Sequence, residues 1–171
     1  RPDIPADCAA LPKGTGTLIL VEPGDNLSTI LTEAAPGSQI VFSDGTYTLD
    51  TALKISSNGL QLRSASGDPS KVILDGKYSA ASLIEVQADH VLIADLELTR
   101  SYGPALSVLG GSDLLLYNLI LQDAGEEALR IMPDAGRYSD KGQLLCSIVQ
   151  RTEAGRTDPS ARCAGGIHGL Q

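Results

Sequence analysis

Five short stretches of this chain, ALKI, LIEV, ALSV, ALRI and GIHG, each carry one polar or charged residue at the same place. These residues are Lys54, Glu85, Ser107, Arg130 and His168. Side chains alternate between the two faces of an extended strand, so the flanking aliphatics share one face and these five residues share the other. Stacked in register at about 4.8 Å per layer, they form one outward column in which Arg130 adjoins His168 and Glu85 lies two layers from Arg130. Such a column suits proton abstraction, with Arg130 or His168 as base and Lys54 or Arg130 as the cation that receives developing negative charge. The plainer reading has equal footing in physics. A solvated strand face needs polar residues, and mixed charges on it support neighbouring strands modestly.

The elements that must carry this column are visible as a repeat. LIADLELTRSYGPALSVLG (Leu92–Gly110) reads as three short strands with no room for a helix, and DLLLYNLILQDAGEEALRIMP (Asp113–Pro133) repeats it at an offset of 23 residues. The offset sets Asp95 over Asn118 and Val108 over Ile131. A third copy opens with QLLCSIVQR, placing Ser147 under Asn118 at an offset of 29, and closes with GGIHGL. Upstream, GLQL, VILDG and SLIEV supply the same three strands. Strand-only repeats of this length indicate a solenoid, because no single turn can bury its own apolar face.

Composition agrees. The chain has 171 residues, 18 Gly, one Phe and no Trp, as expected where Val, Ile, Leu and Ala stack in a narrow interior and Gly, Asn, Asp and Ser take the corners. A net charge of −8 argues against a nucleic-acid partner, and no apolar run is long enough to span a membrane. The opening RPDIPADC has neither Met nor an apolar leader, as in a mature secreted or periplasmic chain. Three cysteines allow one internal bridge. Cys8 and Cys163, both in irregular segments, could pair, with Cys146 packed inside a strand; the odd count equally allows a partner cysteine outside this chain.

TLILV reads as a strand. DNLSTILTEAAPG then has apolar residues at Leu27, Ile30, Leu31 and Ala34, with Asn26 as N-cap and Pro36-Gly37 as a stop. This predicts a short helix capping the first coil. The expected organisation is one domain over 1–171, with an extension and cap over 1–36 and coils over 37–171. The fold class is all-β, a right-handed single-stranded parallel β-helix solenoid with an N-terminal capping helix. The strand at GIHGL has no cap after it, so the chain reads as the N-terminal part of a longer solenoid. Its last edge is then continued by further polypeptide or a second chain.

The phrase ISSNGLQLRSASGDPSKVILDGKYSAASLIEVQADHVLIADLELTRS resembles the opening coils of the pectate-lyase-like superfamily, whose members include pectate lyases, alginate and chondroitin lyases and mannuronan epimerases. The resemblance covers roughly residues 37–170, on core and corner positions. It implies a corner ladder through Asp95, Asn118 and Ser147, and a substrate groove along the strand face that carries the column. An acidic polysaccharide is the implied partner, with Lys54 and Arg130 pairing its carboxylates. The implied reaction is β-elimination or epimerisation of a uronate. Glu85, Ser107, Arg137 and Tyr138 are the expected substrate contacts, Tyr138 by stacking. The rival reading is a structural, adhesive or assembly module without chemistry, and release of unsaturated uronate from a polymer separates the two.

No dedicated metal site is expected. Asp123, Glu126 and Glu127, with Glu85 below, offer the hard oxygens calcium prefers, but DAGEE has no defined ligand spacing, so calcium there is an option and not a requirement. His90, His168 and unpaired cysteines make a poor zinc set. Two further outward columns, Gln61–Leu92–Leu115–Leu144 and Ile73–Glu97–Ile120–Val149, are more aliphatic than a wet surface favours. A C-terminal segment folded back along the barrel, or oligomerisation, would cover them.

Overall fold

The computed structural model describes residues 8, 11 and 14–161, and the backbone of 167–169. β1 (Leu18–Val21) leads into α1 (Leu27–Glu33), where the Asn26 side chain accepts from the Thr29 N–H at 3.1 Å as the expected N-cap. Five coils of three strands follow. The first holds β2 (Gln39–Phe42), β3 (Gly45–Thr48) and β4 (Leu53–Ile55); the second β5 (Gln61–Ser64), β6 (Val72–Asp75) and β7 (Ile84–Val86). The third holds β8 (Leu92–Ala94), β9 (Glu97–Thr99) and β10 (Leu106–Leu109); the fourth β11 (Leu115–Tyr117), β12 (Ile120–Gln122) and β13 (Leu129–Met132). The fifth holds β14 (Gln143–Leu145), β15 (Ile148–Gln150), the one-turn α2 (Glu153–Thr157) and β16 (Ile167–Gly169).

All strand pairing is parallel and runs from coil to coil. Sheet A is β1-β2-β5-β8-β11-β14, sheet B is β3-β6-β9-β12-β15, and sheet C is β4-β7-β10-β13-β16. This is the right-handed parallel β-helix. Its interior is a stack of aliphatics such as Ile40, Leu62, Ile93 and Leu116, all essentially inaccessible to water. Leu27 and Leu31 of α1 are buried, and α1 packs against β4, so the helix closes the first coil as expected. No helix among the described residues is long and apolar enough to cross a membrane.

The register corrects the third repeat. Leu116 pairs with Leu144 and Leu121 with Val149, an offset of 28, so Cys146 and not Ser147 lies under Asn118. Inward alternation decides this, because a one-residue slip would turn Leu144 and Val149 out to solvent. Both therefore point inward, and the outward residues of the fifth coil at those sites are Gln143 and Ile148. Asp95, Asn118 and Cys146 share the left-handed corner conformation, with φ of 61°, 49° and 53°. Ser147 still serves the corner, accepting from the Leu119 N–H at 3.0 Å.

The pairing of cysteines is also corrected. Cys8 bonds to Cys146, and Cys163 lies outside the described residues. The corner position turns Cys146 out of the strand, where the N-terminal segment can reach it. From there the segment runs along sheet A. Leu11 O accepts from Arg63 Nη2 at 3.0 Å, and Gly14 O and Gly16 O each accept from Gln39 Nε2 at 3.0 Å. Gly14 packs directly on the Gln61 and Gln39 side chains, and a Cβ there would require those amide ends to move. The N-terminal segment thus meets sheet A at Gln39, Gln61 and Arg63. On the same sheet the outward-facing Ala94 and Tyr117 are buried.

The corner ladder makes one chemical prediction. Asn118 Nδ2 donates to Asp95 Oδ1 at 2.7 Å, while Asn118 Oδ1 is buried with no partner among the described residues. Burial pushes the Asp95 carboxyl above its usual 3.8, partly offset by the Asn118 bond and the Arg63 charge. A carboxyl raised in the fold holds its proton more tightly folded than unfolded. Its contribution is therefore most favourable below the unfolded value and is lost as pH rises through the folded one. Asp95→Asn keeps the left-handed corner, removes the buried charge and supplies an N–H for Asn118 Oδ1. It is expected to stabilise the protein by about 1 kcal/mol at neutral pH. Urea melts across pH should show that gain shrinking toward pH 4, and equal or lower stability at pH 7 would refute it.

Candidate functional site

The outward column exists as read. Lys54 pairs with Glu85, Glu85 with Ser107, Ser107 with Arg130, and Arg130 with His168, all along sheet C. Parallel register and the period of two place Lys54, Glu85, Ser107 and Arg130 on one face, because Leu53, Ile84, Leu106 and Leu129 fill the interior beside them. The side chain of His168 lies outside the described residues.

The column is not a row of unengaged charges. Lys54 Nζ lies 4.0 Å from Glu85 Oε2. Ser107 is buried, with Oγ 3.5 Å from Ser82 Oγ. Arg130 Nη2 donates to Glu126 Oε2 at 2.7 Å and to Glu127 Oε2 at 2.5 Å. Burial by itself would lower the guanidinium's pKa, but the hydrogen bonds and charges of Glu126 and Glu127 outweigh it and hold Arg130 above its ordinary value. Arg130 therefore stays a cation, suited to receiving negative charge and not to removing a proton. The sequence DAGEE brings this about. Gly125 passes so close to the coil below that a Cβ would lie 2.0 Å from Tyr102 O, and the two glutamates enter directly onto β13.

Those carboxylates are thereby committed. Glu126 and Glu127 turn to Arg130, while Asp123 accepts from Thr152 N–H at 2.8 Å and from its hydroxyl at 2.7 Å, anchoring the start of α2. No group of three or more His, Cys, Asp or Glu among the described residues is placed to hold a metal ion. The three carboxylates of DAGEE are thus engaged by Arg130 and Thr152.

At the cap end the column opens into a groove of about 540 Å³. Its walls are α1 (Ser28, Thr32), the loop before β4 (Asp50, Thr51, Ala52), the loop before β7 (Ser79, Ala81), and Lys54 and Glu85 of the column itself. Sequence reading found the last two and missed the rest. Their only signal was polarity, and they come from three separate segments that only the coiling brings together.

The loop after β13 separates its two expected contacts. Arg137 is a staple: Nη1 donates to Gln87 O at 3.1 Å and Nη2 to Asp89 Oδ1 at 2.8 Å, while its backbone pairs with Asp134. Tyr138 next to it is 74% exposed, consistent with an offered ring. A second ion pair that sequence did not suggest joins Arg100 to Asp75 through Nε at 2.9 Å and Nη2, at the corner between sheets B and C. Asp75 is buried there, and the pairing offsets its desolvation.

No protein-family model matches the chain, and no curated protein matches it in sequence. Solved structures do resemble it in fold. A pectate lyase, Pel9A, superposes with a TM-score of 0.70 at 17% identity, over 90% of this chain and 44% of that one. An alginate lyase from Paenibacillus sp. str. FPU-7 superposes with a TM-score of 0.59 at 14% identity, over 91% of this chain and 58% of that one. The chain thus spans less than two thirds of the length of either.

Proposed function

Because this chain folds as a pectate-lyase-like right-handed parallel β-helix, we propose that it engages polysaccharide along the outer face of sheet C. The observation that carries the reading is the continuity of the Lys54–Glu85–Ser107–Arg130 column with the groove beneath α1. A long, shallow, polar face that ends in a cleft suits a chain-like ligand with many hydroxyls. Lys54, Glu85 and Tyr138 are its contacts, Ser107 lies in its floor, and Arg137 holds the loop that presents Tyr138. The setting is extracellular or periplasmic.

The enzymatic version is elimination or epimerisation, brought in by the pectate and alginate lyase neighbours. His168 would act as base, with Arg130 and Lys54 stabilising the enolate. Absorbance of unsaturated product on polyuronates tests it, and its absence with and without calcium leaves a non-catalytic module. For the binding itself, Lys54→Ala is expected to weaken retention on the polysaccharide that binds by about threefold. Lys71→Ala, which breaks an exposed pair with Asp44 near sheet B, should leave retention unchanged. Equal effects of the two changes would remove sheet C as the binding face.

A further inference from the structure

We infer that the sheet C face and its groove select an uncharged polysaccharide over a polyuronate; the inference rests on the polysaccharide reading above. The charges on the face carry it. Among the described residues, Lys54 and Arg130 stand against Asp50, Glu85, Glu126 and Glu127. Both cations are already paired, Lys54 with Glu85 at 4.0 Å and Arg130 with two carboxylates at 2.7 and 2.5 Å. A sugar carboxylate that reaches either cation does so beside a protein carboxylate already drawing on its charge, and it approaches a chain of net charge −8. The excess negative charge lies at the binding surface, where solvent screening reduces Coulomb repulsion without removing it.

The remaining walls favour neutral sugar. Ser28, Thr32, Thr51 and Ser79 give the groove hydroxyls that both donate and accept, the complement of a sugar's own. On the next coil, outside the groove's own walls, Tyr102 is 45% exposed. Its backbone N–H donates to Ala80 O at 2.8 Å, between the groove-lining Ser79 and Ala81. A tyrosine there offers an apolar ring face with a polar edge, which suits the alternating faces of a pyranose.

Affinity electrophoresis and titration calorimetry of the chain at low ionic strength test this. The neutral probes are mixed-linkage glucan, galactomannan and arabinoxylan backbone; the acidic ones are polygalacturonate and alginate, each with EDTA and with calcium. At least one neutral polymer is expected to bind, and both polyuronates about tenfold or more weaker. Tyr102→Ala should weaken the neutral polymer about fivefold. Glu126→Gln with Glu127→Gln, which unpairs Arg130, should narrow the gap to the polyuronates. A polyuronate that binds as well as any neutral polymer, with or without calcium, overturns the selectivity and leaves the proposed function standing. Unchanged neutral binding in Tyr102→Ala overturns the stacking contact that the neutral-sugar selectivity invokes. Failure of every polymer to bind overturns both readings.

Discussion

Breaking the Cys8–Cys146 bond is expected to cost about 5 kcal/mol and to lower Tm by about 10–20 °C. The bond closes a loop with a sequence separation of 138 residues, so it removes a large share of the unfolded chain's freedom. It also ties the N-terminal segment to the corner at Cys146. Once reduced, that segment keeps, among the described residues, the hydrogen bonds from Arg63 to Leu11 and from Gln39 to Gly14 and Gly16. Calorimetry of the oxidised protein, the reduced protein and a Cys8→Ser, Cys146→Ser variant should agree on the loss. Hydrogen exchange should rise first in sheet A, where Gln39 and Arg63 hold the segment, and later in sheet C. A Tm shift of less than about 3 °C on verified reduction would refute the expectation.

Phe42→Ala is expected to destabilise the first coil by about 3–5 kcal/mol. Phe42 is wholly buried and meets Tyr47 edge to face, with ring centroids 5.1 Å apart. Tyr47 in turn donates its hydroxyl to Val21 O at 3.0 Å or Ser43 O at 2.9 Å. Burial, with Asp25 and Glu22 nearby, pushes that hydroxyl's pKa up to about 12, so it remains a donor. Removing the phenyl ring leaves a cavity in the coil that α1 caps, and the tyrosine loses the surface that orients it. Phe42→Leu, which keeps most of the volume, is expected to cost under about 1.5 kcal/mol. Urea melts that find the two variants within experimental error of each other would show that the first coil repacks freely.

Much of the architecture was legible because a solenoid writes its geometry as repetition. The 23-residue offset between Asp95 and Asn118 is the length of one turn, and alternation within ALSV and ALRI tells inside from outside. The same local rules identified Asn26 as a cap and put Lys54, Glu85, Ser107, Arg130 and His168 in one column. Each is a short-range matter of strand period, corner conformation or first-turn hydrogen bonding.

Long-range choices were not legible. The third repeat was set one residue out because the insert before β14 hides the period, and only stacking Leu144 on Leu116 and Val149 on Leu121 fixes it. That single residue puts Cys146 at the corner, where it takes the place of Cys163 as the partner of Cys8. The commitment of Arg130 to Glu126 and Glu127 depends on how the DAGEE loop settles against the coil below. The groove's Ser28, Thr51 and Ser79 meet only once α1 and two inter-strand loops are placed around sheet C. The sequence by itself determined the coil, its inside and its outside, since these follow from interactions between near neighbours and identical repeats. Which side chains face one another across the surface was decided by tertiary structure alone, because those contacts join segments whose separation along the chain carries no period.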